Sequence, residues 1–583
     1  MKVVTTRIAS GDVGLHVVMY GDIRKTPIVL VHGYPDNNQV WRPVAERLAG
    51  NYFVIAYDVR GAGQSDVPPD LSDYRLEWLA QDLAAVVDAV IPGRRFHLAA
   101  HDWGSIQSWE SVTTARLKPR IASFTTISGP CLDHASYWIR DRAFNRSPAA
   151  KLEVVRQLAS SWYIGFFQLP VLPAASWEAG VGKWWPAYLE KREGVAECEP
   201  NPTQTEDGKH GVQLYRANFR RKLLAPELRH AACPVQLLVP TRDNYVGTQL
   251  FEDLPRWVPE LYRRDINAGH WVVLSSPDLV AARIAEFVAG VEAGVMPPAL
   301  QRARVRPARQ SLPLVGRLAV VTGAGSGIGR ATALRLAQAG ADVVCVDINE
   351  ASALRTTQEV EALGASAWHR AVDVGSAKAM ESLANWVEKD LGGASIVINN
   401  AGIGMAGGVL DTSAADWEKL LKVNLWGVIH GSRLFARQMV AAHRAGHIVN
   451  VASAAAFGPN RKLAAYSTSK AAVYMLTECL RAELADKDIG VTAVCPGFVA
   501  TGIATSTVYA GLSEEEQREK RAKADALYKR RNFSPDDVAE AVLRAVQKNQ
   551  GLALVGAEAW ITRLLSRFAP SASRMIARID ITP

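Results

Sequence analysis

Asp102 stands where a predicted strand gives way to a helix, a position from which a side chain can act on a substrate. The apolar run 96–99 predicts a short buried strand, small residues flank Asp102, and a helix-forming segment follows. This is the layout of a nucleophile elbow. A carboxylate is ionised at neutral pH, so it can attack a saturated carbon without a base and form an alkyl-enzyme ester. The alternative is an ordinary turn in which Asp102 caps the helix.

Two later residues could complete a catalytic triad with Asp102. Asp243 follows the predicted strand 234–239, and His270 stands in a glycine-bearing loop after the predicted strand 260–266. This is the chain order nucleophile, acid, histidine. A lone histidine more often has a structural role. The catalytic interpretation of His270 therefore depends on its position just past a strand end. We expect Asp243 to orient His270 and His270 to activate water.

The elements around these residues predict a parallel α/β sheet. β-rich runs at 27–31, 53–57 and 121–128 join the elbow strand, and helical segments separate them. The insertion 130–229 lacks strand periodicity, so we expect a helical lid. Its dense aromatic side chains could form the lid's own core or line a pocket for a bulky apolar substrate. They are Trp138, Trp162, Phe166, Phe167, Trp177, Trp184 and Trp185.

The first 290 residues resemble the epoxide hydrolases of the α/β-hydrolase superfamily. HGYP matches the family's HGxP motif, and HDWGS matches its elbow. The family usually has glycine where Ala100 and Ser105 stand, and because both replacements are small we expect the turn to form. The resemblance implies that the backbone N–H groups of Tyr34 and Trp103 hold the oxyanion.

The resemblance also assigns the remaining roles. Tyr163 and Tyr215 match the two lid tyrosines from which this family supplies its phenols. Asp102 would open an epoxide while the phenols hydrogen-bond its oxygen and deliver a proton. His270, oriented by Asp243, would activate the water that releases a vicinal diol. Haloalkane dehalogenases are the alternative family, but they lack the tyrosine pair because halide leaves without a proton.

A Pro/Arg-rich segment at 291–313 separates two parts of the chain. Three prolines fall between Pro297 and Pro307, and the arginines have no nearby acid. These arginines are Arg302, Arg304, Arg306 and Arg309. We expect a semi-rigid, solvated linker, with a docking site for an anionic partner or lipid headgroup as the alternative.

The sequence TGAGSGIG at 322–329 predicts a dinucleotide-binding turn. It follows the predicted strand 317–321 and opens a helix, and its glycines let the backbone approach a pyrophosphate. Asp347 ends the next predicted strand, 24 residues past Gly323. A carboxylate there accepts ribose hydroxyls and repels a 2′-phosphate, so we expect NAD, with NADP disfavoured.

Residues 315–557 resemble the short-chain dehydrogenases, whose catalytic tetrad is matched by Asn424, Ser453, Tyr466 and Lys470. Tyr466 and Lys470 are four apart on one helix face, and we expect the lysine to lower the phenol pKa. Tyr466 would exchange the substrate proton, Ser453 would bind the carbonyl oxygen, and Asn424 would order a relay water. The implied cofactor-binding residues are Gly323, Ser326, Gly327, Ile328, Gly329, Asp347, Asp373, Val374, Asn400, Ala401, Gly402, Tyr466, Lys470, Pro496, Gly497 and Thr501.

The whole chain therefore predicts an α/β-hydrolase fold with a helical lid followed by a Rossmann-type doubly wound parallel sheet. It resembles fused mycobacterial hydrolase–dehydrogenases. Whether the dehydrogenase acts on the diol that the hydrolase makes is left open by the sequence. The alternative from another class is that one part is a silent lipid-binding or scaffolding module. Its expected signature is a missing catalytic residue, and every such residue is present.

Composition and net charge limit the kinds of partner that we expect for this protein. The net charge of +8 over 583 residues is modest, so we expect no nucleic-acid partner. We also expect no metal site, no signal peptide and no membrane span, and hence a cytoplasmic protein with an apolar or lipid-like substrate. A C-terminal apolar stripe would pack within its domain or in a homo-oligomer, with peripheral membrane contact as the sharper alternative. The stripe is Trp560, Ile561, Leu564, Leu565 and Phe568.

Overall fold

The computed structural model describes residues 2–196, 200–306, 312–531 and 533–578. The chain divides into two compact units, Met1–Pro307 and Ala308–Pro583. Residues 307–311 of the predicted linker, including Pro307 and Arg309, lie outside the described residues.

The first unit is built on an eight-stranded sheet with the strand order β1-β2-β4-β3-β5-β6-β7-β8. The strands are β1 (Val3–Ser10), β2 (Val13–Tyr20), β3 (Pro27–Val31), β4 (Phe53–Tyr57), β5 (Phe96–His101), β6 (Ile121–Ile127), β7 (Val235–Pro240) and β8 (Leu261–Ile266). From β4 to β8 all neighbouring strands are parallel. Strands β3 to β7 are buried along their whole length, which explains their continuous apolar runs.

The sequence analysis missed the antiparallel hairpin of β1 and β2 at one edge of this sheet. Most of β1 is exposed, and polar residues separate its two apolar pairs, Val3–Val4 and Ile8–Ala9, so no continuous apolar run marks it. Edge strands that face water on both sides lack the signal that identifies central strands.

Helices cover this sheet and form the predicted lid. The core helices are α1 (Arg42–Leu48), α2 (Leu76–Val90), α3 (Trp103–Thr113), and, after the lid, α10 (Val272–Ser275) and α11 (Pro277–Ala293). The lid helices are α4 (Leu132–Ala143), α5 (Pro148–Ser160), α6 (Trp162–Phe167), α7 (Leu172–Ser176), α8 (Gly182–Tyr188) and α9 (Gln204–Leu224). The described part of the insertion contains no strand, as predicted.

The segment expected to be a solvated linker is in part folded against the first unit. Residues Pro298–Ala303 form a helix, α12, and Leu300 is fully buried against Tyr262 and Phe287. The Val305 N–H then donates to the Leu261 carbonyl at 2.8 Å. The expectation of a connector over its whole length was wrong here, because one leucine among the arginines is enough to anchor a short helix.

The second unit is built on a seven-stranded, fully parallel sheet with the order β11-β10-β9-β12-β14-β15-β17. Its strands are β9 (Leu318–Thr322), β10 (Asp342–Asp347), β11 (Ala367–Ala371), β12 (Ile396–Asn399), β14 (Gly446–Val451), β15 (Ile489–Pro496) and β17 (Leu552–Val555). A separate two-stranded pair is β13 (Met405–Ala406) and β16 (Val508–Tyr509). The predicted doubly wound fold is confirmed.

The helices of the second unit connect these strands and continue past the last one. They are α13 (Gly327–Gln338), α14 (Glu350–Ala362), α15 (Ala377–Leu391), α16 (Ala414–Leu421), α17 (Gly427–Ala441), α18 (Ala464–Glu483), α19 (Ile503–Ser506), α20 (Glu514–Arg531), α21 (Pro535–Lys548), α22 (Ala557–Phe568) and α23 (Pro570–Ile576). The strand order changes direction at β9, so the carboxyl ends of β9 and β12 open a crevice for a ligand.

Candidate active sites

The elbow that carries Asp102 has the strained backbone typical of a nucleophile position. β5 ends at His101, α3 begins at Trp103, and Asp102 between them has φ 52° and ψ −123°. A positive φ outside glycine is costly and persists where the surrounding structure enforces it. Ser105 fits where glycine is usual because its hydroxyl donates to the Ala100 carbonyl at 2.8 Å. The turn therefore forms with both substitutions in place.

His270 lies between the two carboxylates that the sequence predicts as its partners. Its Nδ1 is 2.8 Å from Asp243 Oδ2, and its Nε2 is 3.4 Å from Asp102 Oδ2. Burial alone would lower the pKa of His270, but the two carboxylates outweigh it and raise that pKa well above its usual value. Burial likewise opposes ionisation of Asp243, and His270 with two backbone N–H donors lowers that pKa. The resting site therefore favours an imidazolium.

The two lid tyrosines lie together near Asp102. The ring centroids of Tyr163 and Tyr215 are 6.0 Å apart, and the charge of Asp102 acts on both phenols. Burial is the main cause that raises the pKa of each phenol, and the Asp102 charge raises it further. Both hydroxyls stay protonated at neutral pH, so both can act as proton donors.

One carboxylate oxygen of Asp102 is held by the HGYP loop. The Tyr34 N–H donates to Asp102 Oδ1 at 2.8 Å. Gly33 is required beside it, since a Cβ there would lie 2.4 Å from that oxygen and 2.6 Å from the backbone nitrogen of Trp103. The HGYP loop therefore passes close to both Asp102 and the Trp103 backbone nitrogen, and that Tyr34 and Trp103 hold an oxyanion stays a prediction.

A network that the sequence analysis did not single out braces the histidine loop from the lid. The Tyr245 ring centroid is 5.1 Å from that of His270, and its hydroxyl hydrogen-bonds the hydroxyl of Tyr188. Tyr188 donates to Glu193 at 3.4 Å, and the Trp271 N–H donates to the same carboxylate at 3.4 Å. These residues come from separate segments, and no motif in the sequence joins them.

Asp36 and His101 form a second layer behind the triad, and their places beside the two motifs could have revealed them. Asp36 follows HGYP directly, and its Oδ2 accepts the Trp271 indole N–H at 2.9 Å. Burial raises the pKa of Asp36 to about 7. His101 precedes Asp102 and donates to the His270 carbonyl at 2.8 Å, while burial lowers its pKa to about 4.

The aromatic side chains of the lid divide into two groups. Trp177 is buried and donates its indole N–H to the Tyr34 hydroxyl at 2.8 Å, and Phe167 contacts Tyr34 edge-on with centroids 5.4 Å apart. Trp162 and Trp184 are exposed. Trp177 and Phe167 therefore pack on Tyr34, the residue next to Gly33 in the HGYP loop, whereas Trp162 and Trp184 lie on the outside of the lid.

In the second unit, the glycine-rich turn between β9 and α13 forms an open cradle. Gly323 and Gly327 have φ values of 65° and 50°, and the Gly325 N–H donates to Asp347 Oδ2 at 2.9 Å. A Cβ at Gly329 would lie 2.0 Å from the Gly323 carbonyl oxygen. Gly329 therefore permits close packing of the helix on the turn, which is a structural role.

A cavity of about 700 Å³ runs along this cradle. It is lined by the predicted cofactor residues Gly323, Ser326, Gly327, Ile328, Asp347, Asp373, Val374, Asn400, Ala401, Gly402, Tyr466, Lys470, Pro496, Gly497 and Thr501. Asp373 is paired with Lys422 Nζ at 3.0 Å, and this contact lowers the pKa of the carboxyl. The glycine cradle, the strand-end carboxylate and the volume fit a nicotinamide dinucleotide.

Ser453, Tyr466 and Lys470 line this cavity together. The Lys470 ammonium donates to the Val451 carbonyl at 2.9 Å and lies 5.8 Å from the Tyr466 ring centroid. Burial raises the pKa of Tyr466, and hydrogen bonding with Ser453 opposes the rise. The expectation that the lysine lowers this phenol's pKa is not met here, since burial dominates and lowers the pKa of Lys470 itself to about 8.

Asn424 is fully buried and bonded to the backbone. It lies in a π-helical turn, Lys422–Trp426, where its Oδ1 accepts the Ile403 N–H at 2.8 Å and its Nδ2 donates to the Ile403 carbonyl at 3.0 Å. These bonds fix the loop after β12, which lines the cavity. That Asn424 orders a relay water stays a prediction.

The C-terminal helices complete the cavity, which the sequence analysis did not anticipate. Thr562 and Leu565 of α22 line it, as do Ser573 and Ile576 of α23. Of the predicted apolar stripe, only Leu565 faces this cavity. The other four side chains are at least half exposed.

The sheets and sites define an α/β-hydrolase-fold unit followed by a short-chain dehydrogenase unit. The family described as "alpha/beta hydrolase fold" matches residues 26–277, and "short chain dehydrogenase" matches residues 317–510. The chain is 38% identical to "Probable oxidoreductase EphD" of Mycobacterium tuberculosis over 589 residues, 99% of each chain. It therefore belongs to the family of fused α/β-hydrolase-fold and short-chain dehydrogenase enzymes.

Shorter relatives match the second unit alone. The 2,3-dihydro-2,3-dihydroxybenzoate dehydrogenase of Bacillus subtilis is 34% identical over 239 residues, 40% of this chain and 91% of that protein. A crystal structure of a short-chain dehydrogenase/reductase from Burkholderia phymatum in complex with NAD is 31% identical, with a TM-score of 0.41 over 46% of this chain and 97% of that one. Among the described residues, no helix is both long and apolar enough to cross a bilayer.

Proposed function

We propose that the first unit hydrolyses epoxides to vicinal diols through an ester on Asp102. The observation that carries this proposal is the surroundings of that carboxylate: an imidazole paired with a second acid on one side, and two protonated phenols nearby. A base is needed to hydrolyse an ester, and proton donors are needed only when the leaving atom is an alkoxide oxygen.

In the first step Asp102 attacks a ring carbon and the C–O bond of the epoxide breaks. Oδ1 accepts the Tyr34 N–H, so Oδ2 is the oxygen that attacks and Oδ1 becomes the ester carbonyl. The alkoxide that forms takes a proton from Tyr163 or Tyr215. The enzyme then holds a hydroxyalkyl ester, which contains every atom of the epoxide.

In the second step His270 takes a proton from water, and the hydroxide attacks the ester carbonyl carbon. Ester formation removes the charge of Asp102, one of the two carboxylates that raise the pKa of His270. The imidazolium can then release its proton, which restores the phenol that protonated the alkoxide, and the neutral imidazole acts as the base. Collapse of the tetrahedral intermediate breaks the bond between Asp102 Cγ and Oδ2. Oδ2 leaves as a hydroxyl of the diol after taking a proton from His270, and the water oxygen remains in the Asp102 carboxylate.

A haloalkane dehalogenase is the competing assignment for this unit. It would use the same carboxylate and histidine, but it would give no role to two phenols held protonated beside the nucleophile. A silent lipid-binding module would give no role to the triad geometry either. The phenol pair therefore favours the epoxide.

The second unit is proposed to be an NAD-dependent oxidoreductase of secondary alcohols and ketones. The glycine cradle would hold the pyrophosphate of NAD and Asp347 its adenosine ribose, and NAD bound there would supply the hydride chemistry. Tyr466 exchanges the proton of the substrate oxygen, which Ser453 hydrogen-bonds. NAD is preferred over NADP because Asp347 would repel a 2′-phosphate.

The two reactions are proposed to meet on one molecule. A vicinal diol made from an internal epoxide contains secondary alcohols, which are substrates for hydride removal to a hydroxyketone. One similar protein is named a dehydrogenase of a 2,3-dihydroxy compound, which supports this substrate class. A shared chain fixes the ratio of the two activities and raises their mutual concentration.

The test uses the intact protein with an apolar internal epoxide and NAD, followed at the NADH absorbance. NADH should appear after a lag, Asp102→Ala should abolish it, and added diol should restore it. Halide release is measured in parallel with the matching haloalkane. Halide release without diol formation would establish the dehalogenase assignment. Diol formation without any reduction of NAD would show that the units serve different substrates.

A further inference from the structure

The outer face of α22 carries an exposed apolar surface that the dehydrogenase chemistry does not use. Trp560, Ile561, Leu564 and Phe568 are 56%, 55%, 50% and 74% exposed. Their spacing of one, three and four residues places them on one side of the helix. Met575 of α23 continues the surface with 65% exposure. We call these five residues the tail surface.

Between residues 557 and 578, the exposed charged side chains of α22 and α23 are all cations. Arg567, Arg574 and Arg578 are exposed, and the Arg567 guanidinium lies 5.9 Å from the Phe568 ring centroid. The only acidic residue between 557 and 578 is Glu558, which lines the cavity. Tryptophan, phenylalanine and leucine flanked by arginine is the composition of helices that lie in the interface of an anionic bilayer.

The same two helices form a wall of the substrate cavity. Thr562 and Leu565 line the cavity from the inner side of α22, opposite the tail surface. Ile576 lines the cavity and is also 37% exposed, so the cavity wall is continuous with the outer surface at this residue. An apolar chain passing Ile576 would move between the surroundings of the tail surface and the catalytic cavity.

A second copy of the chain is a poorer occupant of this surface. In a two-fold symmetric contact, each tail surface would face its own replica. Three arginines on each side, with no exposed acid between residues 557 and 578, would then oppose one another. An anionic bilayer accepts both the apolar side chains and the charge.

We infer that the tail surface docks the protein on anionic lipid bilayers, so that the dehydrogenase takes an amphiphilic, long-chain alcohol or ketone directly from the membrane. The substrate class rests on the proposed dehydrogenase function. The docking itself does not, and it is measured without turnover.

The experiment is flotation of the full chain with vesicles of phosphatidylcholine, with and without phosphatidylglycerol. The unmodified protein should float with the anionic vesicles and lose binding as salt is raised. The combined substitutions Trp560→Ser, Leu564→Ser and Phe568→Ser should weaken binding about tenfold or more. Arg567→Glu with Arg574→Glu should do the same, since each arginine near such a surface strengthens partitioning about fivefold.

Matched control variants separate a loss of vesicle binding at the tail surface from the effect of changing any exposed apolar or charged residue. Leu354→Ser with Leu363→Ser on and after α14, and Arg544→Glu with Lys548→Glu on α21, alter exposed positions of the same unit and should keep binding. All variants should turn over a short, water-soluble secondary alcohol at rates like the parent. If the parent itself lacks that turnover, the proposed function fails while the docking result stands.

Three outcomes would overturn the docking proposal. The first is flotation unchanged in both tail variants. The second is loss of flotation on changing the exposed lid residues Leu158→Ser and Trp162→Ser, with the tail variants unaffected. The third is no flotation of the parent together with a tail-dependent change of oligomeric state in sedimentation, which would assign the surface to a second copy.

Discussion

The imidazole of His270 lies 3.4 Å from Asp102 Oδ2 through one nitrogen and 2.8 Å from Asp243 Oδ2 through the other. Both carboxylates raise the pKa of His270, and only one of them is consumed when an ester forms. Asp102→Asn, which removes the same charge, should therefore lower the pKa of His270. Titration of the carbon-labelled imidazole by NMR measures it. An unchanged pKa would mean that the nucleophile does not control the base.

Loss of one phenol should slow epoxide opening much more than it slows any reaction at an alkyl halide. Tyr163→Phe and Tyr215→Phe should each lower epoxide turnover about 100-fold or more, since each removes a proton donor. Tyr137→Phe is the matched control, because this lid tyrosine donates to the Pro226 carbonyl at 3.3 Å and lies outside the site. Equal loss in all three variants would point to lid folding in place of proton donation.

Asp36 should make the stability of the first unit depend on pH. Burial raises its pKa from 3.8 to about 7, so the folded state holds the proton more tightly than the unfolded state. Its contribution to stability is therefore lost as pH rises from 3.8 to about 7. Asp36→Asn keeps an acceptor for Trp271 and removes the titration.

The free energy of unfolding of Asp36→Asn, relative to the parent, should thus increase by up to about 4 kcal/mol from acid to alkaline pH. Urea unfolding at several pH values measures this difference. Asp70→Asn, at an exposed position, is the control. A difference that does not vary with pH would show that folding does not raise the pKa of Asp36.

Cofactor choice should follow Asp347, whose Oδ2 also fixes the glycine turn through the Gly325 N–H. NAD should bind at least about tenfold more tightly than NADP, which corresponds to about 1.4 kcal/mol. Asp347→Ser should narrow this ratio because it removes the charge that repels a 2′-phosphate. Titration calorimetry with NAD and with NADP measures the affinity ratio. Equal affinities of the parent for the two dinucleotides would mean that Asp347 does not bind the adenosine ribose.

Much of the fold was predictable because buried parallel strands are continuous apolar runs that end at chemically distinctive residues. Asp102 and Asp243 each stand just past such a strand, and His270 follows the partly exposed edge strand β8. Parallel strands bring their carboxyl ends to one sheet edge. The hairpin β1–β2 was missed because its outer strand is largely exposed and has no continuous apolar run. Motif spacing likewise located the glycine cradle and the Tyr466–Lys470 pair.

The residues that sequence reasoning missed act through contacts between distant segments. Tyr188 and Glu193 come from the lid, and they meet Tyr245 and Trp271 only after folding. The direction of the Tyr466 pKa shift was also unpredictable, because the sequence does not show that Lys470, four residues along the helix, is buried together with the phenol. Burial then shifts both pKa values towards their neutral forms.

The most direct test of the account is a single turnover of an epoxide in ¹⁸O-labelled water with enzyme in excess. The hydroxyl oxygen added in the first turnover should come from the unlabelled Asp102 carboxylate, so the first diol carries no label. Label should reach the diol only in later turnovers, once the carboxylate has exchanged. A first-turnover diol fully labelled from solvent would contradict the ester on Asp102.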